Sequence, residues 1–136
     1  LEYFELLYKK IQQSKYKDKI KLIEDIDKEL IPILYANASL YIFSSYCEVF
    51  GLTNLEAMYS GVPVVTSNSS SIPEICGDAA LYSNPKDPDD IKDKIYELYT
   101  NSNLKRELIE KGYNNSKKYS WDNTFNKTLD LIKNIV

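Results

Sequence analysis

The chain has 136 residues, enough for one domain with its own core, and its 43% hydrophobic and 27% charged residues are those of an ordinary globular protein. A net charge of −3 argues against a nucleic-acid binder, and the absence of histidine removes the commonest metal ligand and general base. Cys47 and Cys76 form no CxxC pair, which argues against a disulfide framework or a zinc site and for reduced thiols. No apolar run approaches the roughly 20 residues of a membrane span, and no secretory signal opens the sequence, so a cytoplasmic protein is expected.

Tyr3, Leu7 and Ile11 stand at helical spacing. After a lysine-rich turn, residues 19–23 alternate polar and apolar, which predicts a strand. Asp27 is a fitting cap for a helix reaching about Ala38, with Pro32 early enough to do little harm. Leu40-Tyr41-Ile42-Phe43 is a short continuous apolar run, as in a strand buried in a parallel sheet. A loop over residues 44–51 leads to a helix over 52–59, which Gly61 ends. Further strands are expected at 62–66 and 79–82, with a short helix from Pro73 between them.

The remainder reads as helical. Ile91, Ile95 and Leu98 form one stripe, and Leu104, Leu108 and Ile109 another. Ser120 is a suitable N-cap for a last helix carrying Trp121, Phe125, Leu129 and Ile132 on one face. The expected place for these aromatics, Trp121 included, is the core. Strands alternating with helices predict an α/β domain with a Rossmann-like three-layer build, a parallel sheet of about four strands and a helical C-terminal part.

In such a sheet ligands bind beyond the carboxyl ends of the strands. The loop after Phe43 lies there. Gly51 lets backbone approach a ligand, and the free N–H groups of the next helix can receive an anion such as a diphosphate. Glu48 precedes that glycine and Glu56 lies about one turn into the helix. Carboxylates are poor partners for phosphate and good acceptors for sugar hydroxyls. Two of them beside an anion-binding helix end suit a ligand built as ribose, diphosphate and sugar. Spacing alone leaves open a plainer reading, a solvated loop acid and a helix acid paired with a neighbouring base.

The segment Glu48-Val49-Phe50-Gly51-Leu52-Thr53-Asn54-Leu55-Glu56-Ala57-Met58 resembles the E-x7-E signature of the retaining glycosyltransferases of family four, the group 1 transferases. Leu34-Tyr35-Ala36-Asn37-Ala38 is similar to that family's LY-x-x-A, and Gly61-Val62-Pro63-Val64-Val65-Thr66-Ser67-Asn68 to its G-x-PVV-x-SN strand. Ile72-Pro73-Glu74-Ile75-Cys76-Gly77-Asp78-Ala79-Ala80 resembles its LPE-x-x-GDAA segment, and Tyr119-Ser120-Trp121 its FSW helix start. Several ordered motifs are more specific together than any one alone, and the similarity runs from about Lys19 to the C-terminus.

The resemblance implies a GT-B architecture, with residues 1–136 as part of its C-terminal, nucleotide-sugar-binding domain and the N-terminal acceptor domain absent. It implies a hexosyltransferase type of activity: transfer from a nucleotide-sugar donor, such as a UDP- or GDP-sugar, to a glycan or lipid-linked acceptor with retention of configuration. No metal and no cofactor are expected. The full-length protein is expected in the cytoplasm, peripheral to the inner membrane, in polysaccharide synthesis. By position Glu48 matches the catalytic glutamate that contacts the transferred sugar, the backbone of Phe50, Gly51, Leu52 and Thr53 matches the stretch contacting sugar and diphosphate, and Glu56 matches the glutamate that holds the ribose.

Two departures stand out. Val49 occupies a position where the family commonly has glycine, which alters the loop on the donor-sugar side. The family's Arg and Lys clamp on the diphosphate has no counterpart: Lys9, Lys10, Lys15 and Lys17 lie in another context. In the family's sheet order, 3-2-1-4-5-6, the four expected strands would be the third to the sixth. A fragment inactive by itself is therefore expected. The alternatives are a non-catalytic nucleotide-sugar-binding subunit of a two-chain transferase and a structural module without a ligand.

Overall fold

A computed structural model describes residues 2–135. In chain order the elements are α1 (Glu2–Gln13), α2 (Ile31–Asn37), β1 (Tyr41–Phe43), α3 (Leu52–Tyr59), β2 (Val64–Ser67), α4 (Ile72–Cys76), β3 (Leu81–Ser83), α5 (Pro88–Thr100), α6 (Ser102–Ser116) and α7 (Trp121–Lys133). Single 3-10 turns at Lys17–Lys19 and Lys28–Leu30 precede α2. Asp27 does cap, but it caps the second of these turns, accepting from the Glu29 N–H at 3.2 Å.

The sheet is parallel with strand order β1-β2-β3. Tyr41 lies opposite Val64 and Val65 opposite Leu81. Each pair of strands is joined through a helix, α3 and then α4, as parallel pairing requires. The central strand β2 is buried along its whole length, and its side chains alternate between two clusters. Val64 packs with Leu55, Met58, Ile72 and Ile75, from α3 and α4. Val65 packs with Leu98 and Leu108, from α5 and α6. Helices thus cover both faces of the sheet, the three-layer α/β build that the alternation of strands and helices predicts.

The helix ends follow local chemistry. Asp87 accepts from the N–H groups of Asp89 and Asp90 to start α5, Asn101 from those of Asn103 and Leu104 to start α6, and Ser120 from that of Asn123 to start α7. At Gly112 α6 closes against α3: a Cβ there would stand 3.0 Å from Cγ of Met58.

Two expectations are corrected. Residues 19–23 form no strand: Ile20 has extended backbone, φ −102° and ψ 124°, but no ladder runs along the segment, and Ile20, Leu22 and Ile23 are exposed. Alternation prepares one face of a strand, and a strand also needs a neighbour to bond. The sheet accordingly has three strands among the described residues, rather than about four. Trp121 is not in the core either. It is 81% exposed, Phe125 is 65% exposed, and no described residue of α7 is buried. The stripe forms the predicted helix without another element closing over it.

Candidate functional site

The loops that leave the carboxyl ends of all three strands meet at one end of the sheet. The loop over 44–51 follows β1, residues 68–71 follow β2, and the turn holding Lys86 follows β3. Nζ of Lys86 lies 4.6 Å above the ring of Tyr46, tying the first loop to the third.

Gly51 ends the first loop at φ +84° and ψ +44°, the left-handed region, and is the N-cap of α3. A glycine has no side chain with which to cap, so the N–H groups of the helix's first turn receive no side-chain acceptor. A Cβ on Gly51 would also stand 3.1 Å from Nδ2 of Asn54. Asn54 is fully buried and donates to the Gly51 carbonyl at 3.3 Å, while its Oδ1 and the Oγ1 of Thr53 are buried without a hydrogen-bond partner. The α3 start is therefore an open, positive helix end with orphaned polar atoms in its first turn.

Glu48 is half-buried and held from three directions. Ser45 Oγ donates to its Oε1 at 2.8 Å. Ser70 Oγ donates to its carbonyl at 2.7 Å and accepts from its N–H at 3.3 Å, and Ser71 Oγ donates to the same carbonyl at 2.9 Å. Oε2 has no hydrogen-bond partner among the described residues. Glu56 is exposed, and the Tyr35 hydroxyl reaches its Oε2 at 3.3 Å. Burial pushes the Tyr35 hydroxyl well above the usual tyrosine value, and the negative charge of Glu56 adds to the effect. Tyr41, packed edge-to-face on Tyr35 at 5.5 Å, is raised by burial as well, and both Glu48 and Glu56 push it the same way. Tyr35 therefore stays protonated and remains a hydrogen-bond donor. Among the described residues neither glutamate is in a salt bridge.

Beside α3 runs a groove of about 640 Å³ lined by Phe50, Leu52, Glu56, Tyr59, Tyr119 and Trp121, among others. Of the six residues singled out from the sequence, Phe50, Leu52 and Glu56 line this groove, whereas Glu48, Gly51 and Thr53 do not. Val49 turns away, 95% exposed. Among the described residues no group of three or more His, Cys, Asp or Glu side chains could hold a metal ion. No helix among them is long and apolar enough to cross a membrane. Sequence reasoning missed the supporting residues Tyr35, Ser45, Ser70 and Ser71. Tyr35 belongs to a recognisable motif, but nothing in the spacing of the serines points to Glu48 more than twenty positions away.

A parallel sheet covered by helices on both faces, with an uncapped helix start at its carboxyl end, defines an α/β domain of the GT-B class. Comparison with known proteins makes this specific. The family described as glycosyl transferases group 1 matches residues 1–115. The chain is 33% identical over 129 residues to the O-antigen chain mannosyltransferase B of Escherichia coli, covering 95% of this chain and 34% of that protein. It is 38% identical over 104 residues to the serotype-specific mannosyltransferase WbdA of E. coli, covering 76% of this chain and 13% of that protein. Among solved structures, the sucrose-phosphate synthase of Thermosynechococcus elongatus shares the fold with a TM-score of 0.85 at 22% identity, over 95% of this chain and 33% of that one. The C-terminal domain of a glycosyl transferase group 1 family protein from Francisella tularensis superposes with a TM-score of 0.76 at 30% identity, over 87% of this chain and 62% of that one. The chain belongs to the group 1 glycosyltransferases. It spans about a third or less of the length of the curated relatives it matches.

Proposed function

We propose that this chain forms the donor side of a sugar-transfer site, binding a nucleotide sugar for transfer to a glycan or lipid-linked acceptor with retention of configuration. The observation that carries the reading is the uncapped α3 start between Glu48 and Glu56. Ribose hydroxyls would donate to Glu56, whose other partner, Tyr35, is a neutral donor and does not compete for the role of acceptor. The diphosphate would lie against the N–H groups at Leu52 and Thr53, with Phe50 and Gly51 supplying the backbone approach. Glu48, the catalytic residue in the sense of touching the transferred sugar, would accept from its hydroxyls through the free Oε2.

In the transfer, the bond from the anomeric carbon to the diphosphate breaks and its electron pair leaves with the phosphate. A bond to the acceptor oxygen forms on the same face, and the proton of that hydroxyl passes to the departing phosphate oxygen. Positive charge develops on the sugar ring beside Glu48, and negative charge develops at the helix end, where fixed dipoles stabilise it without reorganising. No metal ion is assigned a part. Two of the relatives above are named mannosyltransferases, which makes mannose the first sugar to try.

Calorimetric titration with UDP- and GDP-sugars and with the free nucleoside diphosphates tests the reading. Saturable binding is expected, weakened about 10- to 100-fold by Glu56→Ala as ribose hydrogen bonds to a charged acceptor are lost. Absence of saturable heat with every nucleotide and nucleotide sugar would refute it, as would an unchanged affinity in Glu56→Ala.

A further inference from the structure

Among the described residues two that are not glycine have positive φ, Asp25 and Ser70. Ser70, at φ +60°, lies in the loop between β2 and α4. That conformation disfavours a side chain with a Cβ, and glycine would adopt it without strain. What serine adds there is its hydroxyl, and the hydroxyl meets both polar groups of one distant residue: Oγ accepts from the Glu48 N–H at 3.3 Å and donates to the Glu48 carbonyl at 2.7 Å.

The next residue is used in the same way. Ser71 is the N-cap of α4, but its side chain makes no capping bond. It donates instead to the Glu48 carbonyl at 2.9 Å. A strained backbone and a forgone cap therefore both serve to hold one peptide unit, while Ser45 steadies the Oε1 of the same residue. Strain that the surroundings hold in place is characteristic of residues that orient a working group.

We propose that Ser70, assisted by Ser71, is a positioning residue that fixes the backbone of Glu48 so that its free Oε2 meets the hydroxyls of the donor's sugar. The proposal rests on the donor-site reading above. It assigns Ser70 no contact with the ligand: its hydroxyl is occupied by Glu48, and its effect on binding runs through that residue. The half of the donor that Ser70 governs is thus the sugar, and the nucleotide half, held by Glu56 and the α3 start, is independent of it.

The test compares affinity for a nucleotide sugar with affinity for the matching free nucleoside diphosphate, by calorimetry, in Ser70→Gly and Ser70→Thr of the same chain. Ser70→Gly removes the hydroxyl and relieves the strain. It is expected to lose about tenfold in nucleotide-sugar affinity, to keep its nucleoside diphosphate affinity, and to unfold within about 3 °C of the parent. Ser70→Thr keeps the hydroxyl but places a β-branched residue in the left-handed region. It is expected to unfold at lower temperature while retaining its preference for the nucleotide sugar. In a Glu48→Ala background Ser70→Gly should change neither affinity further, since the two act as a unit. Undiminished nucleotide-sugar binding in Ser70→Gly, or equal losses for both ligands, overturns the positioning role and leaves the donor site standing. Failure of the parent to bind either ligand overturns both.

Discussion

The middle of the chain and its two flanks are built to different standards. Every buried residue lies between Gly51 and Ser116, and among the described residues none before or after that stretch is buried. The middle wraps β2 on both faces and contains both packed clusters. The terminal helices α1 and α7 have well-marked apolar faces that remain in water, with Tyr3 of α1 79% exposed and Trp121 of α7 81% exposed. A periodic pattern and a good cap suffice to define a helix, but only a facing surface buries it. The candidate site straddles the boundary: α3 and the serine loop belong to the packed part, whereas Glu48 and Tyr35 approach from the unburied side.

The largest effect that separates the two regions is a cavity. Ile72 is fully buried in the cluster under α3, so Ile72→Ala should cost about 2–5 kcal/mol in urea unfolding. Trp121→Ala removes a far larger side chain, yet should change stability by no more than about 0.5 kcal/mol because its surface is already in water. A loss in Trp121→Ala comparable to that in Ile72→Ala would show that α7 is packed in solution and would erase the distinction between centre and flank.

The same boundary explains what could be read from the sequence. The α3 limits, the uncapped start at Gly51 and the three paired strands follow from composition and spacing, because each strand carries a short apolar run and the helices that bury β2 lie within the middle. The strand expected at 19–23 and the buried Trp121 failed for one reason. Each expectation inferred a partner from a side-chain pattern, and the pattern specifies a face without specifying what meets it. At the site, Glu48 and Glu56 were legible because a family motif marks them. The hydrogen bonds from Ser70 and Ser71 to Glu48 were not, because they depend on how two loops after different strands converge.

Helix caps give a second, smaller contrast. Asn101 caps α6, whose Leu108 is buried, and Asn101→Ala should lower global stability by about 1 kcal/mol. Ser120 makes the equivalent bond at the start of α7, which has no buried described residue. Ser120→Ala should therefore accelerate amide exchange along α7 and leave the global midpoint where it is. Equal midpoint shifts in the two variants would mean that α7 unfolds together with the centre.

The smallest expected effect lies on the surface of the packed part. Lys111 of α6 bridges Glu107 at 2.9 Å and Asp78, in the turn before β3, at 3.1 Å. The hydrogen bond and charge of Lys111 hold Asp78 below the usual carboxylate range, and its bonds to Glu107 and Asp78 raise Lys111 above the usual lysine value. A depressed carboxylate contributes stability above its unfolded pKa and loses it as pH falls through the lower folded value. A raised lysine contributes below its unfolded pKa and loses it as pH climbs through the higher folded one. Lys111→Met should thus melt slightly below the parent across neutral pH, with the gap closing toward both acid and alkali. Because Asp78 is largely exposed, the gap should also shrink in high salt, unlike the cavity and cap effects. A gap that persists below the carboxylate range and in high salt would mean that Lys111 contributes through the packing of its aliphatic stem against the centre, placing even this surface contact among the apolar interactions that set the middle of the chain apart.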